Sequence, residues 1–285
     1  MNLTTLANVR AWVGSQASVT TDDALLSRLI IDASQTILDY LQRADLGYTE
    51  ITEVVSGRGE RKIQLRNWPV VEVTALSIDG VSVTKSTDAK TSGFFLEPVY
   101  GSLAGRPQNL GLRGYAQTLP NRLPAFPSGV GNIEVGYSFG YCVQDEAATI
   151  PATSTYTITP SSPRGLYGGD LGVTLADGTP MTKITSGTPT AGQYLPPDLT
   201  LGTPRTVYTF AAADAGKAVL LSYNFVPAPI EQACVELVGE RYKYKSRIGL
   251  ASASMGGQET TSYMVEDTLT AAIKGRLDPY RLIWY

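Results

Sequence analysis

Two stretches near opposite ends of the chain repeat their apolar residues at spacings of three and four, the signature of amphipathic helices. The first runs from about Asp23 to Arg43 and carries Leu26, Leu29, Ile30, Ala33, Ile37, Tyr40 and Leu41. The second runs from about Ile230 to Lys245 with Ile230, Ala233, Cys234, Leu237, Val238, Arg241 and Tyr242. A fully buried large aliphatic side chain stabilises by about 1.5–3 kcal/mol, so neither stripe can be left in water. The simplest solution packs the two ends together and lets the sequence between them protrude. The expected class is α+β: a small antiparallel helical bundle from the N- and C-terminal segments, with β-hairpin elements and an inserted all-β module.

Local signals support that division. Leu3, Leu6, Ala7, Arg10 and Val13 predict a short helix that stops at Gly14. Thr20-Thr21-Asp22-Asp23 offers hydroxyls and acids to the free N–H groups that open the long helix. From Glu50 the period becomes that of strands. Asp79-Gly80 between two β-prone runs predicts a hairpin. Phe94-Phe95-Leu96 predicts a short strand, Gly101 to Ser128 a long loop, and Asn132 to Tyr141 a further strand. From Ala147 to Leu221 the sequence is rich in Thr, Pro and Gly and has no Glu, which predicts a small all-β module. Its expected strands are Ser154–Ile158, Val173–Leu175, Met181–Thr185, Val207–Phe210 and Ala218–Phe225. Pro227 and Pro229 suit the start of the second long helix. Val265 to Leu277 predicts a last helix, stopped by Pro279. The expected domains are residues 1–142 with 223–285 as a core, 143–222 as the module, and 278–285 as an interaction tail.

Composition narrows the chemistry. The 285 residues contain no histidine, which removes the commonest general base and histidine metal sites. The net charge of -3 does not suggest a nucleic-acid or membrane field. Two cysteines make no disulfide framework. The first residues lack a charged region followed by an apolar run, so no secretory leader is expected. No apolar run is long enough for a membrane span.

The candidate sites each have a structural reading beside the functional one. Tyr280, Arg281, Leu282, Ile283, Trp284 and Tyr285 form an apolar, aromatic tail that docks either on its own core or on a partner. Ser56-Gly57-Arg58-Gly59-Glu60-Arg61-Lys62 has a Gly-x-Gly and three bases, but a β run follows where a dinucleotide loop needs a helix, so it reads as a charged hairpin tip. Glu231, Glu236 and Glu240 could serve carboxylate chemistry or simply be solvated helix acids. Asp170, Asp177 and Asp214 stand isolated beside turns and read as turn residues, not calcium ligands. No catalytic residue, cofactor or metal is expected.

The order of the phrases matters more than any one of them. Thr21-Asp-Asp-Ala-Leu-Leu-x-Arg-Leu-Ile30 opens the long helix. Leu65-Arg-Asn-Trp-Pro-Val-Val-Glu-Val-Thr74 and Val135-Gly-Tyr-Ser-Phe-Gly-Tyr141 follow, and Val226-Pro-Ala-Pro-Ile-Glu-Gln-Ala-Cys-Val-Glu-Leu-Val238 comes after the insertion. Arg247-Ile-Gly249, a Gly/Ser-rich link and a final helix complete the set. This order resembles the head–tail connector (adaptor) proteins of tailed bacteriophages over roughly residues 3–142 and 223–285. The departure is Val143 to Ser222, whose Val207-to-Tyr223 phrase is similar to β-sandwich decorations of phage structural proteins.

The resemblance implies a ring, commonly of about twelve copies. Such a ring binds the portal protein on one side and a stopper, tail-terminator or tail protein on the other, with genomic DNA passing non-specifically through the lumen. It implies a virion location at the head–tail junction (the neck), assembly in the host cytoplasm, no membrane partner, and a portal contact through Tyr280–Tyr285. The alternative is a virion surface-binding module for glycans, host or decoration, acting through the β insertion with Tyr156, Tyr167, Tyr194 and Tyr208.

Overall fold

The structure is a computed structural model that describes residues 1–14, 20–88, 91–97, 109–113, 125–161, 165–200, 205–245, 252–255, 259–262 and 269–282. In chain order the helices are α1 (Leu6–Val13), α2 (Asp23–Leu41), α3 (Ala228–Tyr244) and α4 (Ala271–Leu277). The strands of the first half are β1 (Thr49–Val55), β2 (Lys62–Gln64), β3 (Val70–Ile78), β4 (Val81–Ser82), β5 (Gly93–Leu96), β6 (Asn109–Arg113) and β7 (Ile133–Phe139). Those of the second half are β8 (Cys142–Thr149), β9 (Thr157–Ile158), β10 (Gly165–Leu175), β11 (Thr182–Lys183), β12 (Gln193–Leu195), β13 (Tyr208–Phe210), β14 (Ala218–Pro227), β15 (Ser252–Met255) and β16 (Glu259–Ser262). The backbone separates into two compact units, residues 1–45 with 142–278 and residues 46–141 with 279–285.

In the first unit α3 is the hub: it packs against α1, α2 and α4. Its face buries Ile230, Ala233, Cys234, Val235, Leu237 and Val238, and α2 answers with Leu26, Ile30, Ala33, Ile37, Leu38 and Leu41. Ser34 on α2 accepts a hydrogen bond from the Leu3 N–H at 3.0 Å, and its hydroxyl lies 3.7 Å from the Cys234 sulfur. Arg241 on α3 pairs with Asp32 on α2. The α+β class and antiparallel sheets are therefore present, but a helical bundle is not shown. α1 and α4 are only 8 and 7 residues long, and among the described residues strands hold more of the chain than helices do.

Helix ends follow local chemistry. The Thr5 hydroxyl caps α1 by accepting from the Asn8 N–H at 3.2 Å, and Gly14 ends it in the left-handed conformation at φ 74°. α4 begins at Ala271, later than the expected Val265, because Thr270 caps it by accepting from the Ile273 N–H at 3.3 Å. Residues 265–268 of that expectation lie outside the described residues.

The rest of the first unit is the β module. One sheet has the order β10-β14-β8 and the other β11-β12-β13-β9. Both contribute to one core, with Val173, Val219, Leu221 and Tyr223 from the first sheet and Tyr194, Tyr208 and Phe210 from the second. The central strand β14 passes into α3 without a loop, Pro227 ending the one and preceding the other. β15 and β16 form a separate two-stranded hairpin.

The second unit holds the sheets β1-β7-β3-β4 and β2-β6-β5. The expected hairpin at Asp79-Gly80 is present, with both residues at positive φ (50° and 78°) and Ile78 opposite Val81. Beyond β4 the chain links the two sheets: the Phe94 N–H donates to the Thr84 carbonyl at 3.0 Å and the Ser86 N–H to the Phe94 carbonyl at 2.8 Å. The sheets share one core, built on Leu65, Leu76, Phe94, Leu110, Phe126, Ile133, Val135 and Tyr137. β6 crosses the stretch Gly101–Ser128 that the sequence predicts as a loop; residues 101–108 and 114–124 lie outside the described residues.

Candidate functional site

The most chemically loaded place in the second unit is the gap between β1 and β2. Each is the outer strand of its sheet. Strand alternation turns Ile51, Glu53 and Val55 inward, so a carboxylate enters the core beside two aliphatics. Glu53 is only 8% exposed. A buried carboxylate must be met by donors or a cation. The Tyr137 hydroxyl donates to Glu53 Oε2 at 2.7 Å, and the Arg66 guanidinium lies 3.1 Å from Oε1. Asn67 supplies two further donors, its N–H at 3.3 Å and its amide at 3.1 Å, to the Tyr137 hydroxyl. Burial, and then the Glu53 acceptor, hold the Tyr137 phenol protonated well above its ordinary range. A groove of about 520 Å³ opens along this gap, lined by Glu53, Val54, Arg58, Gln64, Arg66 and Phe126.

The Gly-x-Gly segment forms the connection from β1 to β2 beside this groove. Gly57 is required by a backbone crossing: a Cβ there would stand 1.8 Å from the Pro127 carbonyl oxygen. The crossing is tied by the Gly129 N–H to the Gly57 carbonyl at 3.0 Å and by the Gly57 N–H to Asn132 Oδ1 at 2.9 Å. No helix follows, so the dinucleotide geometry is absent from this segment; it is not a hairpin tip either, because β1 pairs with β7 and β2 with β6, and the segment connects two sheets.

Of the tail, Tyr280, Arg281 and Leu282 are described. Leu282 is buried at 4% exposure, Tyr280 is half-buried with its ring centroid 6.1 Å from that of Tyr141, and Arg281 is exposed. Ile283, Trp284 and Tyr285 lie outside the described residues.

Of the candidate acids of α3, Glu240 is exposed, and Glu231 and Glu236 each meet a structural neighbour. Asn8 donates to Glu231, whose carboxyl is raised by burial. Glu236 accepts from Gln232 at 2.9 Å and pairs with Arg276 of α4 at 2.8 Å. The three Asp residues of the module are likewise engaged. Asp177 accepts from the Thr179 N–H at 2.9 Å within a turn. Asp214 binds the Gly192 N–H at 2.8 Å and Lys217 at 2.7 Å. Asp170 takes Tyr194 at 2.9 Å, Tyr208 at 3.1 Å and Lys183 at 3.1 Å. Among the described residues no cluster of three or more metal-ligating side chains occurs.

The aromatics available for a surface site are mostly interior. Tyr194 and Tyr208 are 2% and 0% exposed, and Tyr156 and Tyr167 are half-buried. Burial, and then Tyr167 and Asp170, hold Tyr208 protonated far above its ordinary range. Burial also pushes Cys142 up to about 11 and Cys234 up to about 12, so neither is a thiolate at neutral pH. A second cleft, of about 690 Å³, lies in the first unit beside Leu6, Arg10, Ile31, Leu166, Tyr167 and Leu199. Arg10 is held there by Asp23 at 2.8 Å. Among the described residues no helix is long and apolar enough to cross a membrane.

The Glu53–Tyr137 pair is the feature that motif reading missed. Its members are 84 residues apart. The available signal was an acid on the inward phase of an alternating strand. Compared with known proteins, the chain matches no family model, and no curated protein matches it.

Proposed function

We propose that the chain is a structural subunit of a tailed-bacteriophage head–tail connector, not an enzyme. Copies associate as a ring in the neck of the virion, between portal and stopper or tail, and genomic DNA passes through the lumen. The observation that carries this reading is the surface of the helical hub. Helices from both ends of the chain meet on α3, yet Trp12, Ile31 and Tyr244 on α1, α2 and α3 remain 51%, 59% and 48% exposed. Exposed aromatic and large aliphatic side chains are what a subunit–subunit contact covers. The ordered sequence phrases support the family, and the two-sheet core of residues 143–222 supports a decoration carried outside the ring. In the finer architecture of this reading, α1, α2, α3 and α4 pair as an antiparallel bundle.

The test is the mass and image of the purified full-length protein. A closed ring of about a dozen copies around a central hole is expected; a monomer across the micromolar range overturns the reading. Removal of Tyr280–Tyr285 should leave a folded protein that no longer joins portal-bearing heads, and retained joining removes the tail from the contact.

A further inference from the structure

The core of the β module holds an acid that strand formation alone does not call for. β10 shifts register twice, between Tyr167 and Gly169 and between Asp170 and Gly172. Gly169 and Gly172, on either side of Asp170, stand at positive φ (140° and 142°). A bulge re-aims the side chains beside it. Here the two irregularities turn a carboxylate inward, and the Asp170 side chain is 3% exposed. It lies against Tyr194 and Tyr208, which belong to the aromatic core of the module. Burying a carboxylate is costly unless donors and a cation meet it, so its surroundings carry information.

Those surroundings suit a condensation. Lys183 on β11, in the opposite sheet, places its Nζ 3.1 Å from Asp170 Oδ2. Tyr194 donates to Oδ2 at 2.9 Å and Tyr208 to Oδ1 at 3.1 Å. Burial holds both phenols protonated far above their ordinary range, so they are fixed neutral donors. They point at the oxygens on which negative charge gathers when the carboxyl carbon is attacked. A second carboxylate, Asp198, is within electrostatic reach of Lys183. The Thr200 hydroxyl and N–H, at 2.7 and 2.9 Å, hold Asp198 below the usual carboxylate range, so it is present as the base. Among the described residues no other lysine pairs with an acid that takes two phenols. Strands of two packed sheets keep amine and carboxyl together, and groups oriented in this way reach effective molarities of about 10⁵–10⁸ M.

We propose that Lys183 and Asp170 join as an isopeptide bond that ties the two sheets of the module covalently. The neutral amine attacks Asp170 Cγ and a C–N bond forms. Asp198 carries the two protons that the nitrogen gives up to one Asp170 oxygen, and the C–O bond breaks with loss of water. An ammonium and a carboxylate become an amide and water, so net charge is unchanged and no co-reactant is needed. The inference stands on the module alone and does not rest on the ring reading.

The test is the intact mass of the full chain, sampled at successive times after induction. A loss of one water, about 18 Da, is expected. Tryptic digestion should leave Lys183 uncut, in a branched peptide that joins the segments around Asp170 and Lys183. A mass equal to that of the sequence after prolonged incubation of the folded protein overturns the proposal. So does a lost water that maps to Asp79-Gly80 or Asp177-Gly178, where an Asp-Gly pair loses the same mass by cyclising on its own backbone. Lys183→Arg keeps a cation opposite Asp170 but removes the primary amine, and should show the full mass in a folded chain. Loss of water in that variant overturns the assignment. Asp198→Asn should slow closure by about 10²-fold or more, and closure at the wild-type rate overturns the proton transfer assigned to Asp198.

Discussion

Tyr137→Phe removes one oxygen from the interior of the second unit, and the surrounding geometry sets the cost. Tyr137 is 1% exposed and Glu53 is 8% exposed, so water cannot readily replace what is lost. The hydroxyl donates to Glu53 at 2.7 Å and accepts two bonds from Asn67, at 3.3 and 3.1 Å. A hydrogen bond to a charged group contributes about 1.5–3 kcal/mol. The Asn67 donors are only part-buried and can turn to water. Arg66 still faces Glu53, but its side chain is 61% exposed and compensates weakly. The expected cost is about 2–3 kcal/mol.

Urea unfolding followed by the fluorescence of Trp68, which is 3% exposed in the same unit, reads this directly. With a slope of about 1–3 kcal/mol per molar, the midpoint falls by about 0.7–3 M. A double-mutant cycle with Glu53→Met isolates the pair. Replacing both partners by apolar groups removes the orphaned charge, so the double variant should lie closer to wild type than the sum of the two single losses. Tyr137→Phe within about 0.5 kcal/mol of wild type, or strict additivity with Glu53→Met, would refute the reasoning.

Three further outcomes follow from local geometry. Gly57→Ala puts a Cβ against the Pro127 carbonyl and should cost about 3 kcal/mol or more in thermal unfolding; a neutral result means the crossing is looser than described. Thr270→Ala removes the cap of α4 and should cost about 1 kcal/mol, with Thr270→Ser retaining most of it, as read by chemical denaturation. Glu231 has a raised carboxyl pKa, so the folded state holds its proton to higher pH than the unfolded state does. Stability should therefore fall as pH rises from about 4.5 through the folded-state value, and Glu231→Gln should flatten that part of the profile. An unchanged slope in the variant would assign the pH dependence to other groups.

Much of the fold was legible because its signals are local. The stripes of α2 and α3 and the stop at Gly14 appear where their spacing and chemistry predict them, and so does the turn at Asp79-Gly80. β8 was not legible. Its sequence, Cys142-Val-Gln-Asp-Glu-Ala-Ala-Thr149, has little β propensity, and it is a strand because it pairs along β14. β10 was legible only in its last three residues, Val173–Leu175. Gly165, Gly168, Gly169 and Gly172 read as turn residues, yet they serve an 11-residue strand with register shifts at Tyr167/Gly169 and Asp170/Gly172. The Glu53–Tyr137 pair escaped for a third reason. It is a relation between strands distant in sequence, and no window along the chain contains both Glu53 and Tyr137.

The direct passage from β14 into α3 has a mechanical consequence. A module hung on a flexible tether would report nothing about the body that carries it. Here the middle strand of a sheet and the central helix of the hub share one stretch of backbone, with Pro227 at the junction and no intervening residues to act as a hinge. Tilting the helix must swing the module with it, as a hand turns on its spindle. A spin label or dye at the exposed Asp177-Gly178 turn, far along the sheet from α3, would magnify small rotations of that helix into measurable displacements.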